Sequence, residues 1–88
     1  MHHDLKCVPK QFQPIWDKRM KAIVRLDDRN YQIGDTVTLK EGWPAINKDK
    51  FDYTGRDVSA RISYLDDFGC QHGYVNISLD DVFMLIVK

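Results

Sequence analysis

"RDVSARISYL" (residues 56–65) alternates without a break. Val58, Ala60, Ile62 and Tyr64 fall on one face, and Asp57, Ser59, Arg61 and Ser63 on the other. A period of two is that of a strand with one face buried. The same period recurs through the chain. "TVTLKEGW" (36–43) turns Val37 and Leu39 inward and Thr36, Thr38 and Lys40 outward, and "YVNISL" (74–79) turns Val75, Ile77 and Leu79 inward. "MKAIVRL" (20–26) sets Met20, Ala22, Val24 and Leu26 against Lys21, Ile23 and Arg25. "HDLKCV" (3–8) alternates weakly and is ended by Pro9. "VFMLIVK" (82–88) reads as a last strand buried on both faces.

One segment has another period. In "KQFQPIWDKRM" (10–20), Phe12, Ile15 and Trp16 form a helical stripe directed at the core. Pro14 is tolerated only in a first turn, so the spacing predicts a short helix beginning near residues 11–13. "PAINKDKFDYTG" (44–55) is polar and mixed, and reads as a long loop closed by a turn at Gly55. "DDFGCQHG" (66–73) is a loop with two glycines, and its Asp-Phe-Gly triplet is a turn after a strand. The sum is a mainly β (α+β) chain: five or six short strands, mostly antiparallel, curled into a small barrel that one short helix plugs or flanks.

Eighty-eight residues, 43% of them hydrophobic, make one domain with a modest core. Net charge is formally zero, which argues against non-specific coating of nucleic acid or anionic membrane. The distribution is uneven. Residues 1–25 carry six bases and two acids, and residues 64–88 four acids and one base. Two cysteines without CxxC spacing, Cys7 and Cys70, fit a reducing compartment. His2, His3 and His72 make no metal pattern, so no metal or cofactor is expected. "MHHDLKC" has no apolar segment of the secretory kind, and "VFMLIV" is too short to cross a bilayer. A cytoplasmic protein without membrane contact is the expectation.

Nucleophilic chemistry finds little support. Ser59, Ser63 and Ser78 lie on strand faces, and Cys7 or Cys70 with His3 or His72 is a pairing that arises by chance. Basic residues near aromatics are more informative. Lys21 and Arg25 share a strand face, Lys18 and Arg19 precede them, and Arg29 follows in the loop of "RLDDRNYQIGD" (25–35). Trp16, Tyr31 and Trp43 offer flat surfaces. Charge for phosphates and rings for bases are what a single-stranded nucleic acid requires. The competing reading is a solvated surface around a core tryptophan.

"HDLKCVPKQF", "VRLDDRNYQIGDTVTLKE", "YTGRDVSARISYL" and "FGCQHGYVNISL" together resemble the small ASCH domains of the PUA-like superfamily, frequent in bacteria and bacteriophages. The likeness covers residues 3–79. Residues 44–52 fall outside it, as does an extension of residues 80–88, itself read as a strand. The resemblance implies one PUA-like mixed β-barrel with a helix after the first strand. It also implies RNA or a nucleotide as ligand, in a cleft between the helix, the second strand and the loop after it. The binding residues so implied are Lys6, Arg19, Lys21, Arg25, Asp28, Arg29, Asn30 and Tyr31.

Some ASCH proteins are amidohydrolases acting on acetylcytidine through a pattern like K-T-x-T-x-R. Here the Lys position is Met20 and the Thr position is Ile23, and Lys21 is one residue out of phase. An isoleucine is no nucleophile, so the departure argues against hydrolysis and for a non-catalytic module. The alternative is a module of the phage type that modulates a host protein, using the barrel as scaffold and Trp43, Phe51 and Tyr53 as contacts. Either function fits a monomer or a homodimer.

Overall fold

Inward apolar residues two apart on each strand need one shared interior, and in the computed structural model a single curled sheet encloses it. The structure describes residues 1–45 and 50–86. Five strands, β1 (His2–Cys7), β2 (Ala22–Leu26), β3 (Thr36–Pro44), β4 (Phe51–Asp66) and β5 (Tyr74–Ile86), lie in the order β1-β3-β4-β5-β2. β1 runs parallel to β3, and every other neighbouring pair is antiparallel. The helix α1 (Pro9–Trp16) follows β1 and packs against β3. The chain is thus mostly β, with a half-barrel sheet and one short helix after the first strand. Among the described residues no helix is long and apolar enough to cross a membrane.

The interior is the set that alternation marks. Leu5, Val37, Leu39, Val58, Ile62 and Ile77 are each 1% exposed or less. Phe12 and Ile15 of α1 join them and plug one end. On β2 the inner face is that of Ile23 and Arg25, and Ala22, Val24 and Leu26 point to solvent.

Four expectations are corrected. The helix starts at Pro9 rather than near residues 11–13. Pro9 has the fixed φ of a first helical residue and lacks an N–H that would be unpaired there anyway, with extended Val8 as N-cap. Pro14 therefore sits inside a helix of only eight residues, where it removes a single turn bond. Next, residues 51–55 are strand rather than loop, residues 51–53 pairing with residues 42–44 of β3. The tip at residues 46–49 lies outside the described residues. Third, Tyr64 points outward and is 57% exposed, because the register between β4 and β5 shifts between Ile62 and Tyr64 and reverses the faces. Half-buried Leu65 packs on the core in its place. Last, the tail is the continuation of β5 rather than a separate buried strand, and Phe83, Met84, Leu85 and Ile86 are all exposed. Val87 and Lys88 lie outside the described residues.

The β3–β4 ladder carries a bulge. Lys40 pairs with Asp57 and Gly42 with Tyr53, so Glu41 of β3 faces three residues of β4, Thr54, Gly55 and Arg56. Gly55 has φ 95° within this bulge, a conformation that costs glycine least. At Gly42 a Cβ would stand 2.3 Å from the Asp52 carbonyl oxygen and 2.6 Å from the Phe51 ring. Gly42→Ala therefore forces backbone apart. We expect a loss of about 1–3 kcal/mol, the usual range for overpacking, read as a lowered urea midpoint with an unchanged slope.

Candidate functional site

β1 and β2 end the sheet on opposite sides, and the curl brings them face to face without strand pairing. The Arg25 side chain crosses the gap. Arg25 Nη1 on β2 donates to the Lys6 carbonyl oxygen on β1 at 3.0 Å. The seam beside it carries the polar residues of the interior.

At the helix end stands Glu41, 2% exposed. The Arg56 guanidinium grips it twice, Nε to Oε1 at 2.8 Å and Nη2 to Oε2 at 2.7 Å. Thr54 Oγ1 donates to Oε1 at 2.7 Å, and Arg56 Nη2 also donates to Gln13 Oε1 at 2.8 Å. The bulge presents Thr54 and Arg56 to the same carboxylate, with Gly55 between them. The guanidinium lies over Trp16 (4.8 Å to the ring centroid) and Phe12 (5.3 Å). Paired forks and stacking are what arginine does and lysine does not. The Arg56 hydrogen bonds hold the Glu41 carboxyl below its usual range, against the opposing effect of burial.

Cys7 is next along β1, opposite Glu41 in the register. Burial pushes its thiol up; Arg25 opposes this and Glu41 reinforces it. It is four residues from His3, roughly 13 Å along a strand, and the His3 ring is bonded elsewhere. Of the thiol–imidazole pairs weighed from sequence, Cys7 with His3 is thus not assembled.

At the other end lies the loop after β2. Tyr31 is 5% exposed and meets His3 edge-on at 4.8 Å between centroids. Its ring is core, so the base-stacking role expected of it falls away. Burial pushes its phenol up, while Arg25 and then Arg29 pull it down. Asp35 explains the polarity of "RLDDRNYQIGD". Its carboxylate accepts from His3 Nε2 (2.8 Å), the Met1 ammonium (3.0 Å) and the Gln32 N–H (3.1 Å). Its main chain and that of Gly34 bond both ways with Ile62. Asn30, at φ 50°, takes the left-handed bend. The loop is held from both sides, and its tip exposes Asp28 and Arg29.

The sequence-predicted residues divide accordingly. Lys6, Arg25, Asp28, Arg29, Asn30 and Tyr31 gather at the seam and its loop. Arg19 and Lys21 do not. Arg19 pairs with Asp17 at 3.5 Å, and Lys21 lines a hollow between α1 and β5. Ile23 is buried core and Met20 half-buried against it. Of the aromatic trio, Trp43 and Tyr53 are each 55% exposed, and Phe51 is half-buried edge-on to Tyr53. Phe51 and Tyr53 share a face of the β3–β4 hairpin, and the register puts Trp43 on the other. Lys6 Nζ lies 5.6 Å from the Phe51 centroid, which joins this hairpin to the seam. Sequence reasoning left Glu41, Thr54, Arg56, Gln13 and Asp35 out of the site. The strand phase was a usable signal for Glu41, two residues beyond inward Leu39. Among the described residues no group of His, Cys, Asp or Glu could hold a metal ion.

The family model for the domain of unknown function DUF3850 matches residues 2–79, and the chain belongs to that family. It is also similar to the "Uncharacterized 12.9 kDa protein in GpA 3'region" of Escherichia phage P2, 35% identical over 65 residues, 74% of this chain and 54% of the other. The chain thus spans about half the length of that relative.

Two measurements check the polar framework. Glu41→Gln leaves Arg56 without its counter-ion. Breaking a buried pair costs about 3–5 kcal/mol, and we expect the lower end because the Arg56 side chain is 29% exposed. Asp35, ordinarily at 3.8, is held down to about 2, chiefly by the His3 hydrogen bond and then by the amino terminus. A depressed carboxyl contributes stability above its unfolded value and loses it as pH falls through its folded one. Stability should hold down to about pH 4 and fall towards about pH 2, and Asp35→Asn should flatten that acid limb in urea titrations.

Proposed function

We propose that this DUF3850 member is a non-catalytic binding module for single-stranded RNA or a nucleotide, seated along the β1–β2 seam in the manner the ASCH/PUA-like resemblance implies. The observation that carries the reading is a row of cations along the seam from three elements: Lys6 of β1, whose main chain Arg25 of β2 holds and whose ammonium lies over Phe51, and Arg29 of the following loop, which with Arg25 acts on Tyr31. Among the described residues none of the three is in an ion pair. Arg25 is fixed by a neutral carbonyl, so its charge stays uncompensated. Phosphates would lie along this line, and bases on Phe51 and Tyr53 beside Lys6. Asp28 and Asn30 would border the ligand at the loop. Met20 and Ile23 stand where the resembling amidohydrolases carry their Lys and Thr, which supports binding over hydrolysis.

The same hairpin supports a second reading. Trp43 and Tyr53 are exposed aromatics of the kind that anchor protein interfaces. Docking on a host protein would use them without the cations.

Fluorescence anisotropy with labelled single-stranded RNA and DNA, from low to physiological salt, separates the two. The variants are chosen at exposed positions. Lys6→Ala and Arg29→Ala should each weaken RNA binding and lower the salt slope by about one. Tyr53→Ala should cost about 1–3 kcal/mol, the worth of one stacked base. No binding at low salt, or binding indifferent to all three, would overturn the RNA reading.

A further inference from the structure

β5 outlasts the strand beside it. β2 pairs with β5 only as far as Ala22 against Ser78, and the next bond on that side runs from the Leu79 N–H to the Lys21 carbonyl at 2.8 Å. β5 continues to Ile86, held on its other side by residues 56–59 of β4. Among the described residues no strand pairs with the far edge of residues 82–86. That stretch is Val82, Phe83, Met84, Leu85 and Ile86, with no charge, proline or glycine. Phe83 is 65% exposed, Leu85 50% and Ile86 70%. Free edges are ordinarily blunted by lysine, proline or a twist away from partners, and this one has none of the first two. The acids just before it are drawn aside, since Arg61 holds Asp80 at 3.4 Å and Asp81 at 2.6 Å.

We propose that this edge is completed by the same edge of a second copy of the chain, antiparallel across a two-fold axis at Met84. The argument is self-complementarity. Opposed residues of an antiparallel pair share a face. A register centred on Met84 sets Phe83 of each copy against Leu85 of the other on the outer face. On the inner face it sets Val82 of each against Ile86 of the other. Beside Val82 lies a hollow of about 220 Å³ between the end of α1 and β5. Ile15, Met20, Leu79 and Val82 supply its apolar wall, with Lys18 and Lys21 on the helix side and Asp80 and Asp81 on the strand side. The register delivers Ile86 of the second copy, the most exposed of residues 82–86, to the mouth of this hollow. Knob and hole on one surface are what a two-fold interface needs. The interface is small, so the dimer forms with increasing concentration.

Sedimentation equilibrium of the whole chain, from micromolar to millimolar, tests this. The weight-average mass should rise from 10.3 kDa towards twice that value. Leu85→Lys and Ile86→Lys should each hold it at the monomer value throughout, with circular dichroism and urea midpoint unchanged, since both side chains are exposed. Hydrogen exchange at the amides of residues 83–86 should slow as concentration rises. A chain that stays monomeric, an association that both variants leave intact, or exchange at those amides that ignores concentration would each overturn the proposal. RNA binding by the monomer is unaffected by either outcome.

Discussion

The constraint behind most of this structure is that the curled sheet does not close on itself. β1 and β2 face each other without a hydrogen-bonded ladder, so the interior must be sealed by side chains and by the helix. A hydrophobic seal alone would leave the main chain of both edges unsatisfied. Arg25 answers part of that need, donating to the Lys6 carbonyl while its aliphatic stem lies inward. Tyr31 and His3 close one end of the gap, and Phe12, Trp16 and the Arg56 fork close the other. Polar groups are therefore inside because of topology. Among the described residues none of their buried side-chain atoms lacks a partner.

Strand phase made most of the fold readable. Where two neighbouring strands keep step, as at Val37 with Ala60 or Ile23 with Ile77, alternation alone names the buried face. It failed wherever the register shifted. Tyr64 has the right phase in the sequence and the wrong face in the fold, because a shift after Ile62 reverses it. Residues 51–55 look like a loop because their strand is polar and contains a glycine, yet the glycine is what lets the strand bulge. The tail looked buried because it is apolar, and periodicity has no means of telling a covered strand from one still waiting for cover.

The candidate site was legible in half. Arg25 and Arg29 are read from charge near aromatics and Lys6 from the resemblance, whereas Arg19 and Lys21, read the same way as Arg25, lie away from the seam. Glu41 and Arg56 were missed because they are fifteen residues apart, and only the β3–β4 bulge brings them together. Asp35 reads as the residue after a turn glycine, and its work as the anchor for His3 and the loop depends on a contact across the whole sheet. Such partners are fixed by tertiary geometry and leave no local pattern.

A formal net charge of zero sits easily with a cationic seam once partners are considered. Asp17, Asp35, Glu41, Asp57, Asp80 and Asp81 each face a basic group within 3.5 Å. Those contacts cancel acids at the two ends of the sheet and along its outer face. Among the described residues Lys6, Arg25 and Arg29 are outside these pairs, as are Asp27 and Asp28 of the same loop, so the seam and its loop carry three bases against two acids, while Lys10, Lys18 and Lys21 are unpaired elsewhere. A groove flanked by low-dielectric strands focuses such a field more than the same charges scattered over a surface. The opening that topology leaves in the barrel is thus where Arg25 meets the main chain of Lys6, and the uncharged free edge of β5 lies beyond the end of β2.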